Sequence, residues 1–422
     1  MRFKRKLHQL ASSRRLWRTA TVLFAIAYGL IIFIMWTSLG DNDVKISKVQ
    51  HYKHGRIPIP VTKPPCSYNL EENRKPQFIS LGREIWLLQA VFNRLNNETF
   101  IRILASMPTW KEMSPIYCLV KTDFGITEAF RADVKYLKSS RHKINSAYQL
   151  VCNVTGKVTD NPCSLRVSFE TSINSNWTTL NVLDSVQKGK GNIGVCLSPI
   201  YFGDIPEHHL VEMLELQIMI YDHVYIYDTS HSTIINHYRS RPNVTVWDWS
   251  MPKILQNTTY RFGLPLAYAH CLRAASTSLL FFADLDEVLV PEKEPLWPTL
   301  PHSSSAYCLS TIYIEPVYGA VPLTGSSTES RKCSSRMKCF VKPSTIENID
   351  TWGTPELYEG NIFVITMDVA TVKHYAPCRN QHCLNKCNDI PIQDRIVADR
   401  YESRLKKAIQ RVMHSLHYKP AE

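Results

Sequence analysis

Three acids, Asp284, Asp286 and Glu287, stand inside an otherwise apolar stretch, LLFFADLDEVLVP, at residues 279–291. Charge left unpaired in a buried segment is costly, so acids bunched there need a cation. In an extended backbone, side chains two residues apart point the same way, which predicts that Asp284 and Asp286 face one point with Leu285 anchored behind them. Two carboxylates so placed repel unless a positive ion sits between them. Residues 279–283 carry no polar side chain, as in a strand buried on both faces, and ligands bind where such strands end. An acidic cap that only solubilises the strand exit is the plainer reading. The apolar run that resumes at Val288, Leu289 and Val290 favours a metal site. Oxygen ligands of this kind suit Mn²⁺ or Mg²⁺ better than zinc.

The elements that must position these acids begin near residue 193. Residues 193–197 read as a short apolar strand. Residues 207–220 read as a helix, with Leu210, Met213, Leu214, Gln217 and Ile220 at helical spacing and Pro206 at its start. Strands follow at 223–227, ending at Asp228, and at 244–247; a helix is expected over 261–275, leading into 279–283. Strand and helix in alternation predict an α/β fold with a doubly wound, mostly parallel sheet. Its ligand would lie at the carboxyl ends of the strands, where Asp228 and Asp284 fall. Residues 188–422 are expected to form this domain. The Gly-rich joint at 187–192, QKGKGN, lacks the phosphate-loop pattern and reads as a linker.

Upstream, residues 77–187 show short β-like runs separated by turns and predict a small β-rich domain. Cys152 and Cys163 flank a turn-rich stretch there and are expected to form a local disulfide in preference to a metal site. Residues 40–76 are rich in Pro, Lys and His and suit an unpacked stem, with Cys66 available to tie it to the body. Residues 19–39 lack charge and are long enough to span a bilayer as a helix. The basic residues of segment 1–18 precede that span, which predicts a cytoplasmic tail, a signal anchor and a translocated remainder.

Two features agree with a lumenal body. All 12 cysteines follow residue 39, and so do the N-x-S/T sequons at Asn97, Asn153, Asn176, Asn243 and Asn257. Part of the formal net charge of +12 belongs to the basic tail. Basic residues over 395–407 alternate with acids and apolar residues on a helix, without the aromatic interleaving of a nucleic-acid binder, so no nucleic-acid partner is expected. Cys378, Cys383 and Cys387 with His382 have a zinc-like look, but an oxidising lumen favours disulfides.

Several blocks in order, GVCLSPIY, LVEMLELQIMIYDHVYIYD, VTVWDW, YAHCLRAASTSLLFFADLDEVLVP, KCFVKP and VKHYAPC, resemble glycosyltransferase family 92 over residues 193–378. The likeness implies a type II Golgi membrane enzyme of GT-A-like fold that transfers galactose from UDP-galactose in β linkage to a glycan on a glycoprotein or glycolipid. Family members usually carry Phe where this chain has Val288. A metal ion neutralises the diphosphate as the glycosidic bond breaks. Asp286 is the first choice for direct contact with it, and Asp284 for the ribose or for the ion through water, with Asp228 a further nucleotide-sugar contact. Similarity to galactosyltransferases with a late His ligand implies His374 as the third ligand, the alternative being a buried structural His. Inversion needs a carboxylate base, for which Glu315, Asp350 and Glu356 are unranked candidates. Trp352 offers a surface on which an acceptor sugar could stack. Two other classes compete: a non-catalytic lumenal glycan-binding protein that uses the same metal site, and a metal-dependent hydrolase, which would normally show more His and Asp than this chain does.

Overall fold

A computed structural model of the protein describes residues 74–417 except 96, 110–113, 123–124, 138–142, 159–161, 163, 185–192, 202–204, 294–295, 297–299, 302, 316–328, 334–336, 376–386 and 394–395. The expected tail (1–18), membrane span (19–39), most of the stem (40–76) and the linker at 187–192 lie outside the described residues, as do Cys66, Cys163, Cys378, His382 and Cys383. Among the described residues no helix is long and apolar enough to cross a membrane.

The short β-like runs of residues 79–184 fold into two facing sheets. One holds β1 (Ile79–Gly82), β2 (Ile85–Leu95), β3 (Glu98–Pro108), β7 (Asp133–Tyr136), β8 (Asn145–Asn153) and β11 (Val182–Asp184). The other holds β4 (Tyr117–Thr122), β5 (Gly125–Ile126), β6 (Phe130–Arg131), β9 (Ser164–Ser168) and β10 (Thr178–Leu180). Ala90, Phe92, Ile101 and Ile103 of the first meet Val120, Leu165 and Val167 of the second in one core. Cys152 is bonded to Cys118 across it, which corrects the expected local pair with Cys163. The reason is the pleat: the side chain at 152 points into the sandwich, where the opposite sheet presents Cys118. Leu88, Val91 and Leu104 on the reverse face of the first sheet join the core of the following α/β part. Each such side chain, fully buried, contributes roughly 1.5–3 kcal/mol.

That part runs β12 (Ile193–Leu197), α1 (Glu207–Ile220), β13 (His223–Asp228), α2 (Thr233–Tyr238), β14 (Val244–Asp248), α3 (Lys253–Thr258), α4 (Leu264–Ala274) and β15 (Leu279–Ala283). Strands β14, β13, β12 and β15 pair in parallel in that order. Alternate residues of β15 feed two cores. Leu280 and Phe282 pack with Tyr268 and Leu272 of α4, while Phe281 and Ala283 pack with Leu210 and Leu214 of α1. Helices therefore cover both faces, and the Cys196–Cys271 disulfide ties β12 to α4.

The expected mostly parallel sheet holds for those four strands but not for most of the pairings that follow. After β15 come β16 (Glu287–Pro291), β17 (Ala306–Glu315), β18 (Glu329–Cys333), β19 (Met337–Val341), β20 (Ile346–Ile349), β21 (Pro355–Leu357), β22 (Ile362–Ile365), β23 (Ala370–His374) and β24 (Cys387–Gln393). Among the described residues no α-helix separates them. Parallel neighbours need long crossovers, usually helical, so this run pairs largely antiparallel: β15 with β19, β19 with β17, and β16 with β23. The fold is mixed α/β and rich in strands. Helix α5 (Ile396–His417) closes it, burying Val397, Tyr401, Leu405 and Val412 on one face. Its outward face is charged, as expected from the alternating acids and bases.

Candidate active site

The central acids do not lie on extended backbone. Residues 284–286 form a tight turn between β15 and β16, closed by the Glu287 amide donating to the Asp284 carbonyl at 3.1 Å. This corrects the expectation of extended backbone through the acids. The Asp284 carboxylate accepts from Arg261 Nη1 at 2.9 Å, and Asp286 Oδ2 lies 3.4 Å from His374 Nε2. The pairing of β16 with β23 is what delivers His374: Glu287 and His374 are opposite in register, and the Tyr375 amide donates to the Asp286 carbonyl at 2.9 Å. Bonds of about 2.0–2.2 Å at right angles put two ligand atoms roughly 3.0 Å apart, so Asp286 Oδ2 and His374 Nε2, at 3.4 Å, would share a divalent cation at a wider angle or after closing by a small movement.

Glu287 turns inward and anchors the turn. Its Oε2 accepts from the Asp284 amide at 2.8 Å and lies 2.7 Å from the ammonium of Lys338 on β19, both side chains being about 5% exposed. Burial alone would depress Lys338, but Glu287 and Asp284 outweigh it and hold the ammonium above its ordinary range. Burial likewise would raise the Asp284 carboxyl, yet the positive charges of Lys338, Arg261 and His374 keep it below the usual carboxylate range. For Glu287 burial prevails and its carboxyl is raised, the ammonium notwithstanding.

His374 is raised as well: burial works against the imidazolium, but the hydrogen bond to Asp286 and the surrounding carboxylates outweigh it. A raised basic group stabilises the folded state fully below its unfolded value of 6.5, and that contribution is lost as pH rises through the folded value. In chelator, the melting-temperature difference between wild type and His374→Gln should therefore be largest near pH 6 and shrink toward pH 8. A difference that is flat or grows over that window would refute the assignment. Manganese binding should show the opposite trend, since the metal takes the neutral imidazole and releases the proton.

The other candidates are dispersed. Asp228 is fully buried at the end of β13, two strands from Asp284 and hence about 10 Å away across the sheet. Its Oδ1 accepts from the amides of Ser230 and His231 and from the Ser230 hydroxyl, while Oδ2 lies 3.5 Å from Arg239 Nη2. Ligand atoms of Asp228, His231 and Asp248 fall within 4.8 Å of one another. Arg239 also pairs with Asp248, so a guanidinium already serves that acidic pair. Asp350 caps its own turn, its Oδ1 accepting from the amides of Trp352 and Thr354 at 2.8 Å each. That turn packs on the central strand, because Gly353 (φ +77°) leaves room for only 3.1 Å between an added Cβ and the Phe282 carbonyl. Trp352 is half-buried there. Glu356 is exposed on β21. The side chain of Glu315 lies outside the described residues; its backbone ends β17 two residues beyond Tyr313, which is in register with His374.

Two residues escaped the sequence reading. Lys338 had a signal, a lone charge in the strand MKCFV, the same island argument that singled out the acids. Arg261 was expected inside a helix, but α4 begins only at Leu264: Arg261, Phe262 and Gly263 take φ of 42°, 52° and 75°.

Acids, a histidine and basic groups thus meet at the carboxyl end of a parallel strand, the place where ligands bind in such sheets. The chain belongs to glycosyltransferase family 92, whose model matches residues 191–413, slightly more than half the chain. No curated protein matches it. A solved structure titled "Crystal Structure of a Mycobacterial Protein" aligns at 13% identity over 54% of this chain and 74% of that one, with a TM-score of 0.26, and a likeness that slight carries no argument.

Proposed function

We propose that this glycosyltransferase uses a GT-A-like fold and a divalent cation, Mn²⁺ or Mg²⁺, to transfer galactose from UDP-galactose to a glycan acceptor with inversion, in β linkage. The observation that carries this reading is the Asp286–His374 pair, brought to 3.4 Å at the end of the central strand in a family 92 chain. Asp286 and His374 would hold the cation, which when bound supplies positive charge to the departing diphosphate. Asp284, kept ionised by its basic neighbours, is left to orient the nucleotide. The salt bridge of Glu287 to Lys338 fixes the turn that aims both aspartates, so little reorganisation is needed as charge develops. The acceptor proton goes to one of Glu315, Asp350 and Glu356.

The proposed setting is the Golgi lumen, with the chain anchored through 19–39 as a single-pass type II protein. It rests on the sequence upstream and on exposure of four sequon residues, Asn97, Asn153, Asn176 and Asn257, with Asn243 half-buried. Glycosidase treatment of protein from a secretory host should increase its gel mobility; unchanged mobility would refute a lumenal body. For the chemistry, the purified protein should release UDP from UDP-galactose in Mn²⁺ and not in chelator. Binding of a glycan and Mn²⁺ without donor turnover would favour the glycan-binding alternative.

A further inference from the structure

Arg261, Phe262 and Gly263 are three successive left-handed residues, with φ and ψ of 42° and 59°, 52° and 39°, and 75° and 30°. Glycine takes such backbone freely, but each L-residue there costs on the order of 1–2 kcal/mol. An added Cβ at Gly263 would fall 2.3 Å from Met251 Cε, the tip of a flexible side chain that can shift, so it is the positive φ that favours glycine there. The arch is held from three sides. Trp249 Nε1 donates to the Phe262 carbonyl at 2.8 Å, the Phe262 ring stacks on Tyr201 at 4.6 Å, and Arg261 Nη1 binds Asp284.

The strain aims one guanidinium at the carboxyl end of β15. Counter-charge for Asp284 is not a sufficient reason, because Lys338 and His374 act on the same carboxylate. The guanidinium is 44% exposed while joined to Asp284 by one nitrogen, and a planar fork of five N–H groups has donors left for a second anion. Beside it stands Tyr201, about half exposed, whose hydroxyl lies in the field of Arg261. Nearby is Tyr268, fully buried, whose hydroxyl has no hydrogen-bond partner among the described residues and lies in the field of Asp284, Glu287, Arg261 and Asp350. A cationic fork, an aromatic face and an unsatisfied buried hydroxyl at one strand end match the diphosphate of a nucleotide.

We infer that Arg261 is a binding residue for the diphosphate of the nucleotide donor and product, dividing its donors between Asp284 and the phosphate oxygens without a metal. This deepens the proposed function and rests on it. It requires that the second phosphate matter: the guanidinium should contribute more to binding UDP than UMP. Affinities of UDP and UMP for the full chain, purified in detergent, can be measured by calorimetry in chelator for wild type, Arg261→Gln and Arg261→Lys. Loss of a charge-assisted fork should weaken UDP by about 10- to 100-fold in Arg261→Gln, with UMP changed by less than about 3-fold. Arg261→Lys keeps the charge without the fork and should fall between. Equal weakening of both nucleotides in Arg261→Gln and Arg261→Lys would mark a purely structural arch and overturn the inference. So would UDP binding unchanged by either substitution. Wild type that binds UDP in neither chelator nor Mn²⁺ would overturn the proposed function along with it.

Discussion

Replacing Asp286 with Asn should lower sugar transfer by on the order of 10²-fold or more while leaving the fold intact. The substitution keeps size and one oxygen but removes the charge that, with His374, would hold the cation and through it the leaving diphosphate. Little stability is at stake. The Asp286 side chain is 39% exposed and its contact with His374 is at 3.4 Å, so the pair belongs with partly solvated bridges worth about 0–1 kcal/mol. A second signature separates a ligand from a strand cap: the hydrogen bond and charge of Asp286 are the leading causes that raise His374, so the imidazole should titrate lower in the mutant. The measurements are transfer from UDP-galactose in Mn²⁺, a histidine titration by NMR, and melting with and without metal. Full activity and an unchanged metal-dependent melting shift in the mutant would remove Asp286 from the site.

Lys338→Met should be the most destabilising single change around the site, at about 3–5 kcal/mol, because it strips the counter-charge from a carboxylate buried in the sheet. Melting at a fixed scan rate should fall by roughly 5–15 °C. Adding Glu287→Gln to Lys338→Met should recover much of the loss, since no uncompensated charge then remains, although Glu287→Gln also weakens the acceptor for the Asp284 amide. Burial raises the Glu287 carboxyl in the folded protein above its unfolded value of 4.5, and removing Lys338 raises it further. A raised acid is most compatible with folding below its unfolded value, and stability is lost as pH climbs through the folded value. The deficit of Lys338→Met should therefore be small near pH 4.5 and full at pH 7. A loss independent of pH, or no rescue in the double mutant, would show that Lys338 stabilises through packing of its aliphatic stem alone.

The sequence by itself determined the parallel half of the sheet. Four apolar runs alternate with helical patterns, and the alternation forces crossovers and hence parallel pairing, with Asp228 and Asp284 at carboxyl ends. It also determined that the acids after residue 283 are functional candidates and that the blocks around them are those of family 92. Tertiary structure decided the rest, for reasons of range. Whether Asp284 and Asp286 share an orientation depends on a turn whose backbone is fixed by Glu287 reaching the Asp284 amide, which no two-residue period reports. Cys152 finds Cys118 because two sheets face each other, not because of spacing along the chain. Lys338 meets Glu287 through sheet pairing across a long stretch of sequence, and Arg261 meets Asp284 only because three residues accept left-handed backbone where helical periodicity predicts a helix. Local pattern reports local energetics; the counter-charges of this site come from elements far apart in sequence, and only the packed core brings them together.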